Sequence, residues 1–473
     1  MKTPASPRNT LPASTGLAGR PGLQEKLEQL LQYLSKTTPG RLKLALMAIA
    51  ALALLCFMSA NSIYWNLKQT TQNMGRDTAP SIIAAEKIRA TLADVNANAI
   101  NSFLIADNDG GTVWQSYRQE MAQVHEHLLE AARNITYGEE ERAPILVIMR
   151  NLTTYERLVG QARGLRNGNF RPDLEAASKL MQETILPATR ALDAANFNHL
   201  SQRWEQHHQG FHGASPLLFC ALLLLVVLLA TQTFLLKRMQ RMLNPGLLLA
   251  TLTLLGFSSY AVFSLNHAEA VLAEAKHDAF DSVHALWQAR AVACEANAEE
   301  SFYLLYSEDG ERQTKHTGQF IDKTALLVDQ PLPTALSKAA SGGKFGGFIG
   351  VELANVTYPG EAQAARRMLN TWNTYMQLDQ QIRALESRGQ HRQAIELNIG
   401  NQPGQSNWAF AQYDKALEQT LGINQSAFES AIATEDQLLS RFNLLQWLML
   451  AVVLLASLAG LKPRIDEYRF IAS

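Results

Sequence analysis

Three histidines, His207, His208 and His212, crowd one short stretch of the chain. His208 and His212 are four residues apart, which on a helix places both imidazoles on one face. Such a pair can share a divalent metal or respond to pH near neutrality. No carboxylate or cysteine obviously completes a ligand set, so a solvated helix beside the adjoining apolar run is the plainer reading. Elsewhere there is no glycine-rich phosphate loop with its lysine, no nucleophile elbow and no HExxH pair. The residues therefore assign no catalytic, cofactor-binding or metal-ligating set, and a protein that is not an enzyme and carries no cofactor is expected.

Polar residues of a second kind stand in two alanine-rich stretches: Asn98 and Ser102 in the first, Asn297 and Ser301 in the second. Amide and hydroxyl groups at such positions either satisfy one another where helices pack closely or form a polar layer that permits two packings. Asn134, Thr136 and Tyr137 recur as Asn355, Thr357 and Tyr358. Both runs match the glycosylation sequon, but their duplication before a helical stretch favours turn and cap chemistry. Thr136 and Glu139 have the spacing of a capping box.

The elements that must position these groups begin with the membrane. The chain has 473 residues, 47% of them hydrophobic, with 42 Lys plus Arg against 43 Asp plus Glu. That balance gives no reason to expect nucleic-acid binding. The apolar residues gather in four runs, 44–63, 216–236, 245–265 and 444–461, each close to the ~20 residues a helix needs to cross hydrocarbon. None contains Asp, Glu, Lys or Arg, which argues against a pump or carrier. Arg41 and Lys43, then Lys237, Arg238 and Arg241, then Lys462, Arg464 and Arg469 flank the runs on one side, and the excess of positive charge marks that side as cytoplasmic. The expected order is a cytoplasmic tail (1–41), a first span (42–64), an outer domain (65–215), a second span (216–236), an inner turn (237–244), a third span (245–265), a second outer domain (266–443), a fourth span (444–461) and a cytoplasmic tail (462–473). Both termini then lie in the cytoplasm of a multi-pass bacterial inner-membrane protein. Of the three cysteines, Cys56 and Cys220 fall in spans, so Cys294 has no partner for a disulfide outside the membrane.

The outer domains are copies of one another. Ala97, Asn98, Ala99, Ser102 and Phe103 recur as Ala296, Asn297, Ala298, Ser301 and Phe302, and Tyr155, Leu158, Gln161, Arg163 and Leu165 recur as Tyr375, Leu378, Gln381, Arg383 and Leu385. The displacement grows from 199 to 220 residues along the chain, so about 22 residues are inserted in the second copy. The Pro- and Gly-rich stretch 331–350 lies there and reads as a surface loop. In the first copy Ile145, Ile148, Leu152, Tyr155, Val159, Ala162 and Leu165 form a heptad stripe; Ala365, Met368, Trp372, Tyr375, Ile382 and Leu385 repeat it in the second, with Asp379 breaking one step. Turn signals at 107–111, 134–138 and 167–169 divide the first copy into four helices. The fold class expected is an all-α membrane protein with four spans and two duplicated four-helix bundles outside the cytoplasm.

Inside, Leu23, Leu27, Leu30, Leu31 and Leu34 make an apolar stripe after a Pro/Ser/Gly-rich start. With Arg238, Arg464 and Tyr468 it offers a docking surface for a cytosolic partner, or else a membrane-surface helix. No inner segment is long enough for a kinase or cyclase.

The runs Asn-Ile-Thr-Tyr-Gly-Glu at 134–139 and Asn-Val-Thr-Tyr-Pro-Gly-Glu at 355–361, with the closing Lys-Pro-Arg-Ile-Asp-Glu-Tyr-Arg at 462–469, resemble a bacterial four-span protein family. Its members link an extracytoplasmic glutamine/glutamate-type solute-binding protein to a soluble serine/threonine kinase. The outer domains also resemble the four-helix sensor domains of chemoreceptors, without their signalling segments. The resemblance implies a signalling adaptor reporting nutrient status, amino acids among the candidates, with the membrane, a solute-binding protein and a cytosolic kinase as partners. It leaves a homodimer open. A transporter or envelope accessory subunit is the alternative.

The charge pattern makes the topology testable. Single cysteines at Gly168 and Gly343 are expected to react with an impermeant thiol reagent on intact spheroplasts, and one at Gln240 is not. Labelling at Gln240 alone would invert the topology.

Overall fold

The computed structural model describes residues 37–105, 111–165, 168–210, 213–239 and 243–467. They are helical nearly throughout, with no strand among them. The helices are α1 (Thr38–Gln72), α2 (Ala79–Leu104), α3 (Thr112–Arg133), α4 (Glu139–Gly164), α5 (Arg171–Leu180), α6 (Leu186–Gly210), α7 (Ser215–Met239) and α8 (Pro245–Glu274). They continue with α9 (Asp281–Leu305), α10 (Gly310–Leu327), α11 (Leu332–Ser341), α12 (Phe348–Ala354), α13 (Glu361–Ser387), α14 (His391–Ile399) and α15 (Ser406–Glu467). Four of the helical stretches are long and apolar enough to cross a membrane.

The chain forms two compact units. Of the described residues, one comprises 37–61, 215–239, 243–260 and 444–467 and carries most of the apolar runs. Here Phe57 packs on Trp447 with ring centroids 4.4 Å apart. Asn244 donates from Nδ2 to the Gly460 carbonyl at 2.8 Å, and a Cβ added to Gly246 would lie 2.9 Å from Gly460 Cα. Glycine at this crossing lets two backbones meet where lipid supplies no hydrophobic drive for helix association.

The other unit, residues 62–214 and 261–443, holds both copies of the repeat. The first copy encloses a core from Ile88, Leu92 and Val95 of α2, Met121 and Val124 of α3, Ile148, Leu152 and Tyr155 of α4, and Met181 and Ile185. The second builds its core on Trp372 and Tyr375 of α13 and Tyr413 of α15, and this cluster also takes in Ala90 and Ala93 of α2. Alanines of α2 and α9 are the reason: Ala90, Ala93, Ala97, Ala289, Ala293 and Ala296 are buried and leave room for the two first helices to pack side by side. The heptad stripes face these cores, except that Leu165 is 49% exposed. Asp379 is buried on its stripe and accepts two hydrogen bonds from Arg383, at 2.9 and 3.0 Å.

Three π-helical turns interrupt the helices, at Asn73–Thr78, Met181–Ile185 and Ala275–Phe280. The first two precede Pro80 and Pro187, whose missing N–H and bulky ring disrupt the regular i→i−4 ladder, and a widened turn absorbs the disruption. The third has no proline and no such account.

Stretch 331–350 is not an open surface loop. Prolines 331 and 333 fall at the start of α11, where a missing N–H costs nothing. Ala335, Ala339 and Ile349 pack into the second core. Only 342–347 stay irregular; Gly347 has φ +78°, and a Cβ there would lie 2.6 Å from the Leu327 carbonyl carbon. Glycine composition marked the turn, and the apolar residues flanking it made helices.

Trp372 is 1% exposed and packs on Tyr375 and Tyr413. Trp372→Ala is expected to lower stability by about 3–5 kcal/mol, whereas Leu165→Ala is expected to change it by under ~0.5 kcal/mol. Denaturation of the detergent-solubilised protein, followed by far-UV circular dichroism, measures both.

Candidate functional site

The seam between the two copies is built on α9, whose residues 291–302 are all buried. A helix enclosed on every side is ordinarily apolar all round. This one carries Glu295, Glu299 and Glu300, of which the last two are fully buried. Each acid is met from a different direction.

Glu295 turns to the first copy. Arg89 of α2 donates to its Oε1 from Nε at 3.3 Å and Nη2 at 3.1 Å, and Arg190 of α6 donates to both oxygens at 3.1 and 2.9 Å. Glu299 accepts from Gln182 of the first copy at 2.9 Å, and from His316 at 2.6 Å and Lys323 of α10. Burial alone would raise the Glu299 carboxyl, but the hydrogen bonds and charge of His316 and Lys323 outweigh it and hold the group below its ordinary range. Glu300 faces the second copy and meets no cation directly: Tyr375 donates at 3.2 Å, Asn398 at 3.0 Å and Ser406 at 3.1 Å. Burial, helped by the Asp379 carboxylate and opposed by Arg383, pushes Glu300 up to about 8.

Two clefts open beside this seam. One, of about 270 Å³, is lined by Asn96, Gln182, Arg190, Glu295, Gln319 and Lys323 among others. The second, about 570 Å³, includes Asp94, Glu120, Trp287, Arg290 and Cys294 in its wall. Burial, helped by the Asp414 carboxylate and opposed by Arg290, pushes Asp94 up to about 6, and burial helped by the Asp94 carboxylate pushes Glu120 up to about 8. Arg290 is held by Asp414 at 2.7 and 2.9 Å. These walls can bind polar ligands and hold charge.

Asn98 and Asn297, two of the four residues expected to form one polar layer, line a common cleft with Asp94 and Asn101. Asn98 donates to both Glu120 oxygens, at 3.0 and 2.9 Å, and Ser102 donates to the Ala99 carbonyl. Ser301 reaches across the copies to Asn101 Oδ1 at 2.5 Å and also bonds the Asn297 carbonyl. Asn297 is buried, with Oδ1 lacking a hydrogen-bond partner.

The repeated turns are duplicated in their bonds as well. Asn134 donates to Ser81 at 2.8 Å and Asn355 to Ser282 at 3.0 Å, pinning each turn to the first helix of its copy. The backbone N–H groups of Thr136 and Tyr137 donate to Glu141 at 2.6 Å, and those of Thr357 and Tyr358 to Glu361 at 2.7 and 2.8 Å. The expected capping box of Thr136 with Glu139 is replaced by Glu141, because the helix begins at Glu139 behind Gly138 at φ +69° and a carboxylate farther in reaches back. Tyr137 stacks on His199 at 4.0 Å. Arg238 and Arg464 lie in α7 and α15. Leu23, Leu27, Leu30, Leu31, Leu34, Tyr468 and His212 lie outside the described residues, as do the side chains of His207 and His208.

Sequence reasoning missed Arg89, Arg190 and the three glutamates. The available signal was the run Glu295 to Glu300, with three acids in six residues of an otherwise alanine-rich helix.

Four membrane-length helices joined to a duplicated helical unit define a multi-pass membrane protein. Residues 70–205 match the family model of an actinobacterial sensor domain. That match covers the first copy, including Arg89, Arg190 and the turn at 134–139, and with the four spans it supports a bacterial membrane sensor protein. No curated protein and no solved structure matches the chain.

The raised Glu300 makes stability fall with pH. Between about pH 5 and about pH 8 the folded chain holds a proton that the unfolded chain has released, so stability is highest below that window and declines through it. Glu300→Gln mimics the neutral acid and is expected to lessen the decline, the remainder coming from Glu86, Glu120 and Glu352, each of which burial also pushes up to about 8. Melting temperatures of both proteins across pH 5–8 measure the difference.

Proposed function

We propose that this protein is a transmembrane signalling adaptor without catalytic activity: it reads extracytoplasmic nutrient status, amino acids first, through a solute-binding protein and passes it to a cytosolic kinase. The match of residues 70–205 to a sensor domain carries this reading. The resemblance of the turn motifs and the closing 462–469 run adds the binding protein and the kinase. In this reading the loaded binding protein docks on the repeat unit and favours one of two packings of the seam. A ligand moves such an equilibrium only by its difference in affinity between the two states, typically about 1–3 kcal/mol for coupled sites. A seam of buried ion pairs is suited to that, since its partners cannot exchange without repacking.

The helices α1, α8 and α15 each run without a break out of an apolar run, and the signal is assigned to them. Two glycines inserted after Asn266, within α8, add backbone freedom there. Phosphorylation by the co-purifying kinase, with and without acidic amino acids, is expected to lose its ligand dependence in this variant while protein abundance stays normal. Unchanged ligand-dependent output would remove the helical route. Affinity purification from membranes that recovers transporter or envelope subunits, and neither a binding protein nor a kinase, would replace the adaptor with an accessory subunit.

A further inference from the structure

Two buried acids of the repeat unit, Glu86 and Glu435, have carboxylate oxygens that receive no hydrogen bond, and Glu86 stands beside the ion pairs of the seam. Glu86 of α2 is fully buried, and neither of its carboxylate oxygens receives a hydrogen bond. Its nearest cation is Arg89, whose Nη1 stays 3.6 Å away while Nε and Nη2 are engaged with Glu295. An unmet buried carboxylate is costly, and a native structure ordinarily supplies it a partner.

The groups around Glu86 have the composition of a ligand set. Asp193 of α6 is buried, and His284 of α9 is nearly so, with its side chain 12% exposed. His284 stacks on Phe197 at 4.6 Å and lies nearly parallel to Phe280 at 6.3 Å, so its ring plane is fixed by aromatic neighbours. Its Nε2 points at the Asp193 carboxylate, 2.9 Å from Oδ1 and 3.1 Å from Oδ2, with the Gln288 amide 3.1 Å away. One donor atom from each of Glu86, Asp193 and His284 lies within 4.8 Å of the other two. Donors of a tetrahedral zinc ion stand about 3.3 Å apart at bond lengths of roughly 2.0–2.1 Å.

We propose that Glu86, Asp193 and His284 form a binding site for one divalent transition-metal ion, of which Zn²⁺ is the best fit. Two carboxylates balance the double charge, one imidazole selects a borderline metal over Mg²⁺ or Ca²⁺, and three protein ligands leave a further position open. The ion would meet the Glu86 oxygens, which receive no hydrogen bond and have Arg89 Nη1 only at 3.6 Å. Its ligands come from the first and last helices of the first copy and the first helix of the second. Metal binding therefore clamps the two copies together beside the Arg89–Glu295–Arg190 cluster. The three residues are spread over almost 200 positions of the chain, which is why no spacing motif announces them.

The test uses the full-length protein in detergent, stripped with a chelator and titrated with Zn²⁺, with bound metal counted by mass spectrometry of the ion. One tight equivalent per chain is expected. Glu86→Gln and Asp193→Asn, which keep shape and remove charge, are expected to weaken it by more than the roughly 10–100-fold that loss of an outer-shell partner costs. Co²⁺ in place of Zn²⁺ is expected to give the visible absorption of a low-symmetry site with nitrogen and oxygen ligands in the wild type, and not in either variant. The Co²⁺ spectrum of the wild type decides the matter even if a variant fails to fold. A folded wild type that holds no stoichiometric Zn²⁺ overturns the proposal and leaves His284 and Asp193 as an ion pair. So does Zn²⁺ that survives both variants and is lost with His207→Ala and His208→Ala.

Discussion

Three carboxylates on one enclosed helix set the terms on which the rest of the repeat unit packs. Glu295, Glu299 and Glu300 sit on α9, which has no face toward water over that stretch. Taking a carboxylate out of water costs several kcal/mol even after relaxation, and the cost is offset only by close partners in good geometry. Glu295 and Glu299, four residues apart, share nearly one face, whereas Glu300 points about 100° away from Glu299, so the partners cannot all come from one side. Glu295 therefore binds the first copy, Glu300 the second, and Glu299 both. The seam follows from helical geometry as much as from charge.

This arrangement explains why a duplicated sequence forms one compact unit. Alanines on α2 and α9 allow close approach, and the arginines of the first copy then have acids within reach. The copies have diverged where they meet: Arg89 and Arg190 of the first copy meet Glu295 of the second, and Asp193 and Glu175 of the first copy meet His284 and Arg312 of the second. Away from the seam they remain alike, down to an asparagine bonded to a serine of the first helix and a glutamate bonded to the backbone of the turn. Divergence at the seam and similarity outside it are what a heterologous interface between duplicated halves requires.

Buried ion pairs are weak evidence for stability, since apolar replacements often do as well. Their value lies in discrimination, because a mispaired packing leaves a charge unmet. A sensor must have few states and keep them distinct. The seam meets that demand within the region matched to the sensor domain, where Arg89 and Arg190 lie, and in the copy that answers it.

The spans, the all-helical class, the duplication and the inward heptad stripes were legible in the residues alone, because each is a local pattern. A run of ~20 apolar residues, a 3.5-residue period and a repeated motif need no knowledge of what lies opposite. The stretch 331–350 showed the limit of such reasoning: its glycines and prolines marked turns correctly, and whether the residues between them reached a core was not written locally. Asn98 and Asn297 were found as polar residues in alanine-rich helices, yet their partners were not each other. Which acid meets which base, and the gathering of Glu86, Asp193 and His284, were decided only by tertiary structure. The energy of a buried charge depends on groups brought from 100 or 200 residues away, and one sequence holds no record of those distances.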